Sequence, residues 1–113
     1  MYLRTVDGLW TIEFGSSVGV FGGGVVVFQG GKVMGGDGGY FYIGSYQANG
    51  DSIRATVEAT PFIQGYESVF KTVGRPFTLD LVGTFTDDTH GIAQGSVRGM
   101  PNLKVGLKLT RRG

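Results

Sequence analysis

The chain has 113 residues, 41% hydrophobic and 17% charged, with a formal net charge of +1; this suits one domain with a single core and argues against disorder. Its lack of cysteine excludes disulfide staples, thiolate metal sites and a cysteine nucleophile, and the near-neutral balance lacks the basic excess of a dedicated nucleic-acid binder. The 22 glycines follow no Gly-X-Y period, which excludes collagen.

The N-terminal MYLRTVDGLW has no basic region followed by an apolar run. No stretch approaches about 18 uninterrupted apolar residues, so a soluble, unexported, cytoplasmic protein with no membrane span is expected. In chain order, GLWTIEFG sets Trp10, Ile12 and Phe14 on one side and Leu9, Thr11 and Glu13 on the other. Residues 25–29, 32–34 and 40–46 are rich in β-branched and aromatic residues, which favours strands. In DSIRATVEAT, Ile53, Ala55, Val57 and Ala59 oppose Arg54, Thr56 and Glu58. In PFTLDLVGTFT, Phe77, Leu79, Leu81 and Phe85 oppose Thr78, Asp80 and Thr84. Residues 92–98 form a weaker strand, and in NLKVGLKLT, Leu103, Val105, Leu107 and Leu109 oppose Lys104, Lys108 and Thr110. Period-two alternation of this kind marks half-buried strands, about eight in all.

The separators QGGK, MGGDGG, ANGD, TDDTHG and GMPN carry turn residues, and Asn49-Gly50 is the strongest hairpin signal. Short connections favour an antiparallel meander, and closure into a barrel removes exposed edges. The expected fold is an all-β, up-and-down antiparallel barrel occupying the whole chain as one domain. PFIQGYESVFKTVG, residues 61–74, breaks the alternation; Tyr66, Val69 and Phe70 stand at helical spacing, which predicts a short helix or lid between the fifth and sixth strands.

The glycine-rich stretch of residues 21–46 invites a phosphate-loop reading, which its details defeat. Gly31-Lys32 is followed by Val33, and Val26 stands where the first Walker glycine belongs, while a dinucleotide fingerprint requires a strand-to-helix turn. Glycine in a small closed sheet instead permits bulges, coiling and close backbone approach. The single histidine, His90, lies near Asp87 and Asp88 in a turn segment. Turn propensity accounts for all three, and no metal or cofactor is expected. A catalytic triad would require His90 to meet Ser16, Ser17 or Ser96, and no GxSxG elbow is present. Glu13, Glu58 and Asp80 sit on the polar parity of their strands, so no enzyme is expected.

Two further clusters carry alternatives. Tyr40, Tyr42 and Tyr46 share one parity and suit either a ligand-facing or partner-binding stripe or a face of β-favouring residues; Phe41 and Ile43 opposite leave the inward side open. Arg98, Lys104, Lys108, Arg111 and Arg112 gather near the C-terminus, where they read as solvated strand residues more readily than as a nucleic-acid surface.

Over residues 8–46 the chain resembles the GrlR-like family, named for a negative regulator of a type III secretion locus in enteric pathogens. The likeness rests on the DGLW start, a glycine-initiated second strand, a GG turn, the GGD of Gly35 to Asp37, and the aromatic-Tyr-x-Gly strand that leads to the hairpin ending at Asp51. The resemblance implies a lipocalin-like barrel, commonly dimeric, that acts by protein contact without catalysis. In the named regulator an acidic run in that hairpin engages a transcriptional activator. Here Ala48, Asn49, Gly50 and Asp51 occupy it, so only Asp51 keeps the charge, and Asn49, Gly50 and Asp51 become the expected partner-binding positions. A regulator that binds a partner protein is the expectation, with carriage of a small apolar ligand inside the barrel as the alternative.

Overall fold

A computed structural model describes residues 5–65, 68 and 75–113. The alternating segments form eight strands: β1 (Gly8–Ser16), β2 (Phe21–Gln29), β3 (Lys32–Gly36), β4 (Tyr40–Asn49), β5 (Ser52–Pro61), β6 (Phe77–Phe85), β7 (His90–Val97) and β8 (Met100–Arg111). Each pairs antiparallel with its neighbour in sequence, and β1 pairs with β8 to close the barrel. The helix expected around Tyr66, Val69 and Phe70 falls largely outside the described residues.

Inward positions follow from the registers. One row of cross-strand partners runs Phe28, Val33, Gly44, Val57, Leu79 and Val97; another runs Trp10, Val26, Gly35, Tyr42, Ala59 and Phe77. The same parity places Gly22, Gly24, Gly83, Gly91 and Gly95 on the inner face. Two of these positions show why no larger residue fits. An added Cβ would lie 2.0 Å from the Val25 carbonyl oxygen at Gly35, and 1.9 Å from that of Asp80 at Gly95. The backbones of neighbouring strands approach that closely because the sheet is coiled tightly enough to close.

Elsewhere an aromatic ring takes the place of the missing side chain. Phe14 lies over its cross-strand partner Gly22, and Phe85 over its partner Gly91, with ring carbons 2.8 and 2.7 Å from where a Cβ would stand. Such pairing keeps apolar area buried where the strand carries no side chain.

Strand limits differ from the sequence expectation at several places: β2 begins at Phe21 rather than at residue 25, β4 runs on to Asn49, and β7 opens at His90, inside the expected turn. Gly35 and Gly36, read as part of a turn, belong to β3, because close approach to β2 and β4 requires residues without Cβ. Met100, Pro101 and Asn102, also read as a separator, begin β8. The turn contracts to Arg98 and Gly99, with Gly99 at φ 86°, and the register slips between Ser96 and Val97. Beyond that slip Ser17 supports the new strand: its N–H donates to the Lys104 carbonyl, and its hydroxyl to that of Asn102. Pro101 lies within the slip itself, between the β7 pairs made by Met100 and Lys104, where its missing N–H breaks no ladder.

One end of the barrel, which carries the β2–β3, β4–β5 and β6–β7 turns and both termini, is sealed by aromatic side chains. Trp10 is fully buried, edge-on to Phe28 at 6.2 Å and tilted against Phe85 at 5.1 Å. Its indole N–H donates to the Val6 carbonyl at 2.9 Å, and the Arg111 guanidinium lies 4.7 Å above its ring. Arg111 also donates to the carbonyls of Thr5, Asp7 and Asp88, so one side chain ties the N-terminal segment and the β6–β7 turn to the seal. At the opposite end, Tyr40 packs against Phe77 at 5.6 Å.

The glycine geometry predicts a contrast. Gly35→Ala lowers stability by about 1–3 kcal/mol, the scale of overpacking a rigid site. Gly106→Ala, where nothing lies within 4 Å of the added carbon, changes it by less than about 0.5 kcal/mol. Urea unfolding midpoints of the two variants measure the difference.

Candidate functional site: the barrel lumen

Between the two aromatic ends the inner face carries small residues. Ala55, Ala59, Gly83 and Ala93 stand among Leu79, Leu81 and Leu107, and a cavity of about 180 Å³ lies along them. The three leucines and Ala55 are only half-buried although they point inward, as side chains facing an unfilled space must be. The lining is overwhelmingly apolar, and among the described residues Asp37 contributes its one charged group.

Asp37 sits in the connection between β3 and β4. One carboxylate oxygen accepts from the N–H groups of Gly39 and Tyr40, both at 2.9 Å, closing an Asx turn at the start of β4. The other accepts from the Tyr42 hydroxyl. Ser68, also buried, lines the cavity.

The tyrosine stripe faces the interior, and its members differ in role. Tyr40 is 2% exposed and packs at the Asp37 end. Tyr42 is half-buried, lines the cavity and holds Asp37. Tyr46, nearer the sealed end, stacks edge-on with Phe28 at 5.1 Å and donates to Asp7 at 2.6 Å. Burial, and after it the Asp7 hydrogen bond, push its phenol above the usual range. Tyr40 and Tyr42 therefore reach the cavity, whereas Tyr46 fastens the N-terminal segment.

Asn49, Gly50 and Asp51 lie at the other end of the barrel from Asp37. Asn49 pairs with Ser52, Gly50 takes φ 61°, and the Asp51 carbonyl accepts from the Phe85 N–H at 2.8 Å. Asn49 borders an open concavity on the outer surface, shared with Glu13, Phe21, Arg54, Val82 and Lys108; Phe21 there is 80% exposed. The hairpin and the tyrosines do not form one site.

A separate feature crosses the outside of β1 to β4. Leu9, Val27, Met34 and Ile43 are successive cross-strand partners, flanked by Val25 and Phe41 on either side of Gly36. All but Val27 are exposed, Ile43 at 59%.

The C-terminal basic residues are dispersed. Arg98 pairs with Asp80 through two hydrogen bonds of 2.6 and 3.0 Å, which hold the Asp80 carboxyl below its usual range. Arg111 turns toward Trp10, Arg112 donates to the Thr11 hydroxyl at 2.9 Å, and Lys108 stands opposite Glu13. His90, at the start of β7, is at the far end of the barrel from Ser16, Ser17 and Ser96. It contacts Asp87 within its turn.

No protein-family model matches the chain, and no curated protein is significantly similar to it.

Asp37 was legible in the sequence only as a turn residue. Its relation to the lumen had a faint signal, since Tyr42 is five positions on and shares parity with Tyr40. The small residues were more visible: alanines on the apolar parity of DSIRATVEAT leave volume that a leucine or valine would have filled.

The β6–β7 turn yields a pH prediction. The Thr89 N–H, then the Thr89 hydroxyl and His90, lower the Asp87 carboxyl to about 2, whereas an unfolded Asp titrates near about 3.9. A depressed folded-state value means that the turn's contribution is complete above about pH 4 and disappears as pH falls through about 2. NMR titration of the Asp87 carboxyl, followed with the Thr89 amide, should show a midpoint near 2; a midpoint near 4 contradicts it.

Proposed function

We propose that the protein is a noncatalytic barrel that holds one small apolar molecule in its lumen. The observation that carries this reading is the apolar cavity of about 180 Å³ between the aromatic ends. An apolar space of about 150 Å³ is enough to bind benzene, so the volume matches a single ring or a short chain. It is too small for ligands that occupy pockets of about 300 Å³ or more. The carboxylates Glu13, Glu58 and Asp80 face outward on separate strands, which suits binding without chemistry. The barrel's polarity, apolar inside with charge outside, is the reverse of a water-filled membrane barrel.

Titration with toluene, followed by NMR of the Leu79, Leu81 and Val57 methyls, should give saturable shifts. Ala93→Leu, which fills the space, should abolish them. Absence of saturable shifts in the wild-type protein contradicts the reading.

The apolar row on the outside of β1 to β4 favours a second role in protein contact. Its neutral, continuous character suits a two-fold interface in which the same patch meets its copy, in keeping with the homodimers that a GrlR-like relationship implies. A regulator of that kind would offer Asn49, Gly50 and Asp51, at the end of the barrel away from Asp37, to a partner such as a transcriptional activator. Sedimentation should find a dimer that Ile43→Lys converts to a monomer; a wild-type monomer at every concentration contradicts the interface.

A further inference from the structure

The lumen is not uniformly apolar: among the described residues, its charged side chain, Asp37, lies toward one end. We infer that the bound molecule carries a hydrogen-bond donor, an amine or an alcohol, directed at Asp37, and that carboxylates are rejected. This inference rests on the lumen-binding reading and deepens it.

Asp37 is the charged group on the cavity wall among the described residues. It accepts three hydrogen bonds there, from the Gly39 and Tyr40 N–H groups and the Tyr42 hydroxyl. A carboxylate offers about four acceptor positions, so this end has capacity for one more donor. The three donors that converge here are already directed at Asp37, and a ligand carboxylate would therefore bring a second negative charge to a place arranged around an acceptor. Like charges in a poorly solvated space repel strongly. An amine reverses the sign of that interaction, and an alcohol supplies the donor without charge. A cavity of about 180 Å³ also limits the apolar part to a ring or short chain. Fatty acids fail on both counts.

Four probes of similar size separate these contributions: toluene, benzyl alcohol, benzylamine and benzoate, each titrated by NMR against the full chain. Benzylamine and benzyl alcohol should bind more tightly than toluene, and benzoate on the order of tenfold or more weakly than benzylamine. Asp37→Asn keeps an oxygen for the Gly39 and Tyr40 N–H groups while removing the charge, and should bring benzylamine and benzoate within about threefold of each other. Tyr42→Phe, which removes one donor from Asp37 and leaves the charge, should preserve or widen the preference and serves where the Asn variant fails to fold. Equal binding of benzoate and benzylamine, or a preference unchanged in Asp37→Asn, overturns the assignment. If toluene binds and benzoate matches benzylamine, the lumen reading stands and the donor assignment falls; if none of the four binds, both fall.

Discussion

Closing an eight-stranded sheet on itself forces neighbouring backbones together, and the inner face tolerates that only where side chains are missing. At Gly35 and Gly95 a carbonyl of the adjacent strand occupies the space a Cβ would need. Gly83 is such a close-approach position as well, 2.6 Å from the Ile92 carbonyl oxygen, and it also lines the lumen, which it leaves short of side-chain volume. Barrels of this size are usually just filled by their own side chains or just able to hold a small ligand. With Ala55, Ala59, Gly83 and Ala93 around the middle, this barrel is not filled by its own side chains. Coiling and cavity thus meet at Gly83.

The ends compensate for the sparse middle. Trp10, Phe28 and Phe85 concentrate aromatic area where the chain begins and ends, and Arg111 fastens that end by covering the indole and satisfying three carbonyls. Tyr46 adds a tie to Asp7. A rigid seal at one end leaves the other, built from Asp37, Tyr40, Tyr42, Ser68 and Phe77, to give the cavity its chemical character. There the Asx turn that starts β4 also sets a carboxylate on the cavity wall, so the residue that turns the chain is the one that the proposed ligand would meet.

Much of this was legible in the sequence because period-two alternation is a strong signal. Ile53, Ala55, Val57 and Ala59 declared an inner face, as did Leu103, Val105, Leu107 and Leu109. Closure followed from short connections and the need to cover edges. Less was legible where glycine replaced the alternating residue: Gly22, Gly24, Gly35 and Gly36 carry no hydropathy parity, so the strands that contain them looked shorter or read as turns. Tyr40, Tyr42 and Tyr46 were recognisable as one face but not as the inner one, since Phe41 and Ile43 opposite are equally apolar and remain exposed. Asp37 joined the cavity through a contact with Tyr42 that local spacing does not dictate.

The central claim, that the inner small residues hold an unfilled apolar lumen in a closed barrel, is tested most directly by a crystal structure under xenon pressure, because xenon enters dry apolar cavities without needing a polar partner. Xenon should occupy the lumen beside Ala55, Ala93, Leu79 and Leu81. A lumen collapsed onto those side chains, with xenon bound only outside the barrel, would contradict the account.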